Sequence, residues 1–217
     1  MDSRDVLGVL QFLKEYHGMS IGPSRDSDMI LKGIFSFSAA TKGGKKISDT
    51  YQIEITIPAE FPRKLPSVRE TGGKIPCDGK YHVNFDKTLC LGSPLRLLHK
   101  ISNKSTLVGF AENCLVPYLY AVSNKLQNGE EFLFGELAHG ERGIIEDYME
   151  LFRFKTRSQV DNVLILLGTK RRIANKQLCP CNCGRRLGVC PFHQTINDYR
   201  KIAPRSWFKS HQKNLCA

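Results

Sequence analysis

Apolar residues recur with two different periods in the first third of this chain. Val6, Leu7, Val9, Leu10, Phe12, Leu13 and Tyr16 fall on one face of a 3.6-residue repeat behind Ser3, a residue suited to capping, and predict an amphipathic helix over residues 3–17. Gly18, Gly22 and Pro23 then turn the chain, and the period shortens to two. Met29 to Ser38, with Ile30, Ile34 and Phe35 among its apolar residues, reads as a strand. Thr41 to Lys46 is a Gly-Gly hairpin loop, and Tyr51, Ile53, Ile55 and Ile57 alternate with Gln52, Glu54 and Thr56 in a half-buried strand that stops at Pro58. A short strand is predicted at Ser67 to Glu70. These elements make an antiparallel meander.

Beyond residue 90 the helical period returns. Gly92, Ser93 and Pro94 predict a loop, and Leu107, Phe110, Cys114, Leu115, Tyr118 and Leu119 supply the apolar stripe of a long helix from about Ser105 to Leu126, with Cys114 in its core-facing row. Another helix is predicted over residues 141–154. The apolar run Val160 to Leu167 fits a strand or a helix equally well. The fold class expected is α+β, in two unequal parts: residues 1–155, and a smaller module over 156–217.

Charge sharpens that division. Residues 1–150 carry 18 Lys/Arg against 19 Asp/Glu, whereas residues 151–217 carry 14 against 2, so the whole formal charge of +11 resides in the C-terminal module. Such a surface suits phosphate neutralisation or an acidic protein partner, and the scarcity of interleaved aromatic residues favours the protein. No apolar run reaches the ~18–20 residues of a membrane span, and the acidic Met1 to Asp5 segment has no apolar signal core. A cytoplasmic protein without membrane association is expected, in which the eight cysteines are thiols or metal ligands.

Two cysteine settings carry candidate chemistry. The first is His82-Val83-Asn84-Phe85-Asp86-Lys87-Thr88-Leu89-Cys90, preceded by the proline-punctuated Ile57-Pro58-Ala59-Glu60-Phe61-Pro62-Arg63-Lys64-Leu65-Pro66. Together with the order helix, meander, cysteine turn and long helix over residues 3–125, these motifs resemble the ubiquitin-conjugating enzyme family. The resemblance implies a UBC-like fold in which Cys90 accepts the C-terminal carboxyl of a ubiquitin-like protein as a thioester and passes it to a protein or small amine. A thiol suits the relay because it is strongly nucleophilic and its thioester stays reactive. By the same resemblance, Asn84 braces the loop or donates to the oxyanion, and His82 anchors the turn, with a role as general base the alternative; Cys90, Asn84 and His82 are the expected catalytic residues. The resemblance also implies that ATP is consumed only by a separate activating enzyme.

Val83 stands where the family has proline, the step from Asn84 to Cys90 is short, and no tryptophan follows the cysteine. These departures look like a divergent prokaryotic branch. Phe134 to Gly140 is similar to a stretch in bacterial relatives, some of them encoded beside antiviral cGAS-like nucleotidyltransferases (CBASS operons) whose C-terminus is the protein conjugated. Cys77 is expected to be an exposed loop thiol.

The second setting is Cys179-Pro180-Cys181-Asn182-Cys183, followed by Cys190 and His193. Zinc asks for four thiolate or imidazole ligands in a tetrahedron. Cys179, Cys181, Cys190 and His193 supply such a set, with Cys183 a spare thiol or an alternative ligand. The spacing resembles the short zinc-binding motif at the C-terminus of the SecA translocase, which implies a structural zinc ion in a knuckle over about 179–193. Arg171, Arg172, Lys176, Arg185 and Arg186 would make its surroundings a docking surface. The alternative to the enzyme is a non-catalytic module that binds protein or nucleic acid through this basic knuckle.

Overall fold

A computed structural model describes residues 8–24, 27–41, 43, 45–129 and 140–215. The chain divides into two compact units, Met1–Glu136 and Leu137–Ala217. This division falls ahead of the expected 155/156, because the helix after residue 139 packs on the helix that follows it in the second unit.

In the first unit, α1 (Val9–Glu15) leads into a four-stranded sheet of β1 (Met19–Ile21), β2 (Met29–Ala39), β3 (Ile47–Ile57) and β4 (Ser67–Glu70), in that spatial order and antiparallel throughout. The meander is as the period-two patterns predict, and the mixed composition is that of an α+β protein. The predicted first helix is shorter in the described part: Gly8, in the left-handed region at φ 70°, stands at its N-cap, and Ser3 lies outside the described residues. β1 has no counterpart among the predicted elements. It is only three residues long, and it is brought against β2 where Gly18 and Gly33 meet, with Gly33 at φ 144°. A Cβ on Gly33 would stand 2.1 Å from the Gly18 carbonyl oxygen, so this approach requires glycine.

One face of the sheet is buried. Leu31, Phe35, Tyr51, Ile53 and Ile55 pack with Phe12 of α1 and with Phe110, Leu115 and Leu119 of the long helical segment. Phe12, Tyr16 and Phe35 form a ring cluster with centroid separations of 4.4 to 6.4 Å. That segment runs as α3 (Leu107–Phe110), a π-helical turn (Ala111–Leu115) and α4 (Val116–Asn128). Pro117 has no N–H to offer the carbonyl four residues back, and the wider turn accommodates its position. Cys114 is buried as expected, and burial pushes its thiol up to about 11. A buried polar strut ties α4 to β3: the Ser123 hydroxyl donates to Asp49 (2.8 Å) and accepts from the Tyr51 hydroxyl (2.6 Å). Lys74 pairs with the same carboxylate.

The predicted loop at Pro94 is instead the start of α2 (Pro94–Ile101), which buries Leu95, Leu97, Leu98 and Ile101. Proline at the first helical position removes only an N–H that has no intrahelical partner, so Pro94 begins the helix.

The named elements of the second unit, among the described residues, are the helices α5 (Gly140–Phe152), α6 (Arg157–Gly168), α7 (Arg171–Ala174), α8 (Phe192–Ile202) and α9 (Arg205–Leu215). The undecided run Val160 to Leu167 is therefore helix. Thr156 caps α6 by accepting from the Gln159 N–H, and Val160, Val163, Leu164 and Leu167 are buried in a core shared with Ile145, Tyr148, Phe152 and Phe208. His211 on α9 stacks on Trp207 and bonds the buried Tyr148 hydroxyl at 2.7 Å; burial takes its pKa down to about 4, which keeps the ring neutral. Among the described residues, no helix is long and apolar enough to cross a membrane.

Candidate functional site

The loop between β4 and α2 carries Cys90. A single 3₁₀ turn, Gly79–Tyr81, is capped by the Asp78 side chain, which accepts from the Lys80 N–H, and it ends at His82 in the left-handed region (φ 53°, ψ 45°). From His82 the chain reverses through a tight hairpin. The Cys90 N–H donates to the His82 carbonyl (2.8 Å), Val83 bridges Leu89, and the Leu89 N–H reaches back to the Val68 carbonyl of β4 (2.8 Å). The thiol is thereby fixed to the edge of the sheet.

The tip of the hairpin is closed by side chains. The Asn84 amide donates to the Thr88 hydroxyl (2.9 Å), and that hydroxyl donates to the Asp86 carboxylate (2.6 Å), which also accepts the Thr88 N–H (3.0 Å). These bonds hold the Asp86 carboxyl below its ordinary value. Arg69 of β4 donates to the Asp86 carbonyl. Beneath the turn, the Tyr118 hydroxyl of α4 donates to the Tyr81 carbonyl (2.7 Å), and Lys125 donates to the Lys80 carbonyl (2.9 Å). Tyr118 stands near enough to Cys90 that, after burial, a negative charge on the thiol is the next largest influence raising the phenol.

The three residues singled out by sequence, His82, Asn84 and Cys90, are thus placed on one hairpin. Thr88, Asp86 and Tyr118 complete it and were not anticipated. An Asp-x-Thr turn beside Asn84 was the available signal for the first two; Tyr118 was indistinguishable from its apolar neighbours in the helical stripe. Cys77 lies exposed, as expected.

Cys90 itself is partly buried. Burial raises its thiol above the ordinary value of 9.0, and an N–H bond from Gly92 offsets part of that rise. The resting group at neutral pH is the protonated thiol. Because the folded pKa lies above the unfolded one, the protonated form is favoured by folding, and that contribution is lost as pH climbs through the folded value. Alkylation by iodoacetamide, followed residue by residue by mass spectrometry, is expected to be slow at pH 7 and to keep rising beyond pH 9. A plateau below pH 8 would contradict the geometry.

The second unit brings its cysteines together. Asn182 (φ 62°) and Gly184 (φ 73°) flank Cys183 in the left-handed region and wrap it back under a short hairpin. The Cys179 N–H bonds the Arg185 carbonyl (2.8 Å), Leu178 bridges Arg186, and the Leu187 N–H bonds the Gln177 carbonyl (2.8 Å). The sulfurs of Cys179, Cys181, Cys183 and Cys190 all lie within 4.8 Å of one another. The Cys179–Cys181 separation is 3.1 Å, and Cys190 lies 3.6 Å from both Cys181 and Cys183. Zinc–sulfur bonds of about 2.3 Å place tetrahedral sulfurs about 3.8 Å apart; the four thiols can hold a metal ion with small adjustments.

The fourth member differs from the expected ligand set. His193 stands outside the sulfur cluster: it lies in the first turn of α8, on the same face as Asn197 one turn on, with Nε2 3.1 Å from the Asn197 amide. Cys183 takes the fourth position.

No protein-family model, curated protein or solved structure matches this chain. The fold and sites therefore stand on their own geometry.

Proposed function

We propose that the first unit is a ubiquitin-conjugating-like acyl carrier. The observation that carries the reading is the partly buried Cys90 thiol, bonded by its backbone to His82 and set beside a side-chain-braced hairpin, at the edge of an antiparallel meander and ahead of a long helix. In the first step the Cys90 sulfur attacks an activated C-terminal carbonyl, an S–C bond forms, and the leaving group departs with the thiol proton. In the second, an amine attacks, a C–N bond forms, the C–S bond breaks and the thiol returns. The chain itself uses no ATP. A separate activating enzyme spends it on the donor, read as the C-terminus of a ubiquitin-like protein or of a cGAS-like nucleotidyltransferase in bacterial antiviral defence.

The four-thiol cluster of the second unit is read as a structural zinc site. Four protein ligands leave no open position for a water, which suits a closed site and not a catalytic one.

The test of the first reading is a covalent trap. The Cys90→Lys protein, produced beside its native genomic neighbours, is expected to accumulate a stable amide adduct, and mass spectrometry then shows a branched peptide at position 90 ending in the donor's C-terminal residue. Cys90→Ala under the same conditions forms none. A folded Cys90→Lys protein that stays unmodified, with active neighbours, would sink the enzyme reading and leave a binding module built on the basic second unit.

A further inference from the structure

The hairpin that carries the thiol cluster leaves two aliphatic side chains in solvent. Leu178 and Val189 are each 72% exposed, on opposite arms of the same small structure: Leu178 bridges Arg186, and the Val189 N–H bonds the Arg186 carbonyl at 3.2 Å. Neither is needed to close the core, which takes Leu187 and Ala174 from the same segment. The same segment carries Arg185 and Arg186 on the hairpin, Lys176 at its entry, and Arg171 and Arg172 on α7 just before it, all exposed. Among the described residues none of these five cations has a salt bridge, and the two acids of residues 151–217 serve others, Asp161 pairing with Arg157 and Asp198 with Lys201. Arg171 also stands close enough to Arg200 that, after burial, its like charge is what lowers the Arg200 guanidinium's pKa. Positive charge is concentrated here without an internal counter-charge.

The composition of the patch decides between partners. Nucleic acid would take the arginines, but single strands are gripped by stacking on aromatic rings, and no aromatic residue occurs from Lys155 to Pro191. Exposed aliphatic side chains on a segment rich in unpaired cations match the reverse pattern: apolar anchors accompanied by carboxylates. The geometry points to this face as a docking site for an acidic peptide segment that carries aliphatic side chains, with Leu178 and Val189 as its apolar contacts and Arg171, Arg172, Lys176, Arg185 and Arg186 as its charge frame. It rests on the second unit alone and is independent of whether Cys90 carries an acyl group.

The test uses the full chain, supplied with zinc, and fluorescence anisotropy of three probes: a short synthetic peptide alternating acidic pairs with leucine, the same peptide with serine for leucine, and a single-stranded oligonucleotide of equal charge. The leucine peptide is expected to bind best, with an affinity that falls as salt rises. The double variant L178S/V189S should weaken it about ten-fold while circular dichroism and metal content stay unchanged, since both positions are exposed. R185E/R186E should weaken both peptides. Equal binding of the two peptides, indifference to L178S/V189S, tighter binding of the oligonucleotide, or no binding of the leucine peptide by the folded protein would each overturn the assignment.

Discussion

Stripping metal from the second unit is expected to unfold the segment between Asn175 and Cys190. Its hairpin is held by a few backbone bonds, and the side chains it buries are Cys179, Pro180, Leu187 and Cys190, with the Pro180 carbonyl joined to α6 through the Gln159 amide (3.1 Å). So small an apolar content cannot offset the ordering of some fifteen residues at ~1.5 kcal/mol each. A structural zinc ion contributes on the order of 10–16 kcal/mol in comparable small sites, the larger part of what that ordering requires. Amide hydrogen exchange should show the protected N–H groups of Cys179, Leu187 and Gly188 opening on chelation, while those of α6 and the first unit persist. Cobalt should replace zinc with the intense absorption of a four-thiolate complex.

The ligand set makes the same experiment discriminating. Cys183→Ser should lose one thiolate from the cobalt spectrum and weaken binding, whereas His193→Ala should leave both unchanged, because its ring is directed at Asn197. The reverse result would restore the set expected from spacing alone. Acid should mimic chelation, since thiolates bind the ion and thiols do not: this stabilisation is present at neutral and alkaline pH and is lost as protons compete for sulfur. The Arg185 N–H, with help from the neighbouring thiols, draws the Cys183 thiol down to about 7, while burial pushes those of Cys179 and Cys181 up, so metal binding at neutral pH releases protons.

The contrast between His193 and Cys183 shows where sequence stops being sufficient. β3 was legible because strict alternation over Tyr51 to Ile57 has one solution when a single face is buried, and the apolar stripe from Leu107 to Leu119 likewise has only a helical reading. Pro94 was ambiguous: proline is common both in loops and at a helix start, and only the burial of Leu95, Leu97, Leu98 and Ile101 decides. Metal-ligand spacing is weaker still. Five candidate ligands within fifteen residues leave the choice to backbone conformation, here two left-handed residues beside Cys183 and a helix that begins one residue before His193. The Cys90 loop lies between these cases. The residues with recognisable chemistry were visible in the chain, while Thr88 and Tyr118, which position them, owe their roles to contacts across four and 37 residues.

Those contacts separate the two roles open to Asn84. On the acyl-carrier reading, Asn84→Ala should leave thioester formation on Cys90 intact and slow its discharge to an amine by about 10²–10³, the cost of ~3–4 kcal/mol that follows loss of a preorganised oxyanion donor. If Asn84 only braces the hairpin, removing its partner should do equal harm. Thr88→Val supplies that comparison: it deletes the hydroxyl that accepts from the Asn84 amide and donates to Asp86, yet leaves the amide free to turn toward the thioester. Single-turnover discharge, with the donor identified by the Cys90→Lys trap and free lysine as acceptor, is expected to fall less than about ten-fold in Thr88→Val, the scale of one neutral hydrogen bond. Equal losses in the two variants, with hydrogen exchange quickened at the Asn84 and Thr88 amides in both, would assign Asn84 to bracing. A loss confined to Asn84→Ala assigns it to the developing negative charge, since only there does the missing donor matter more than the shape of the loop.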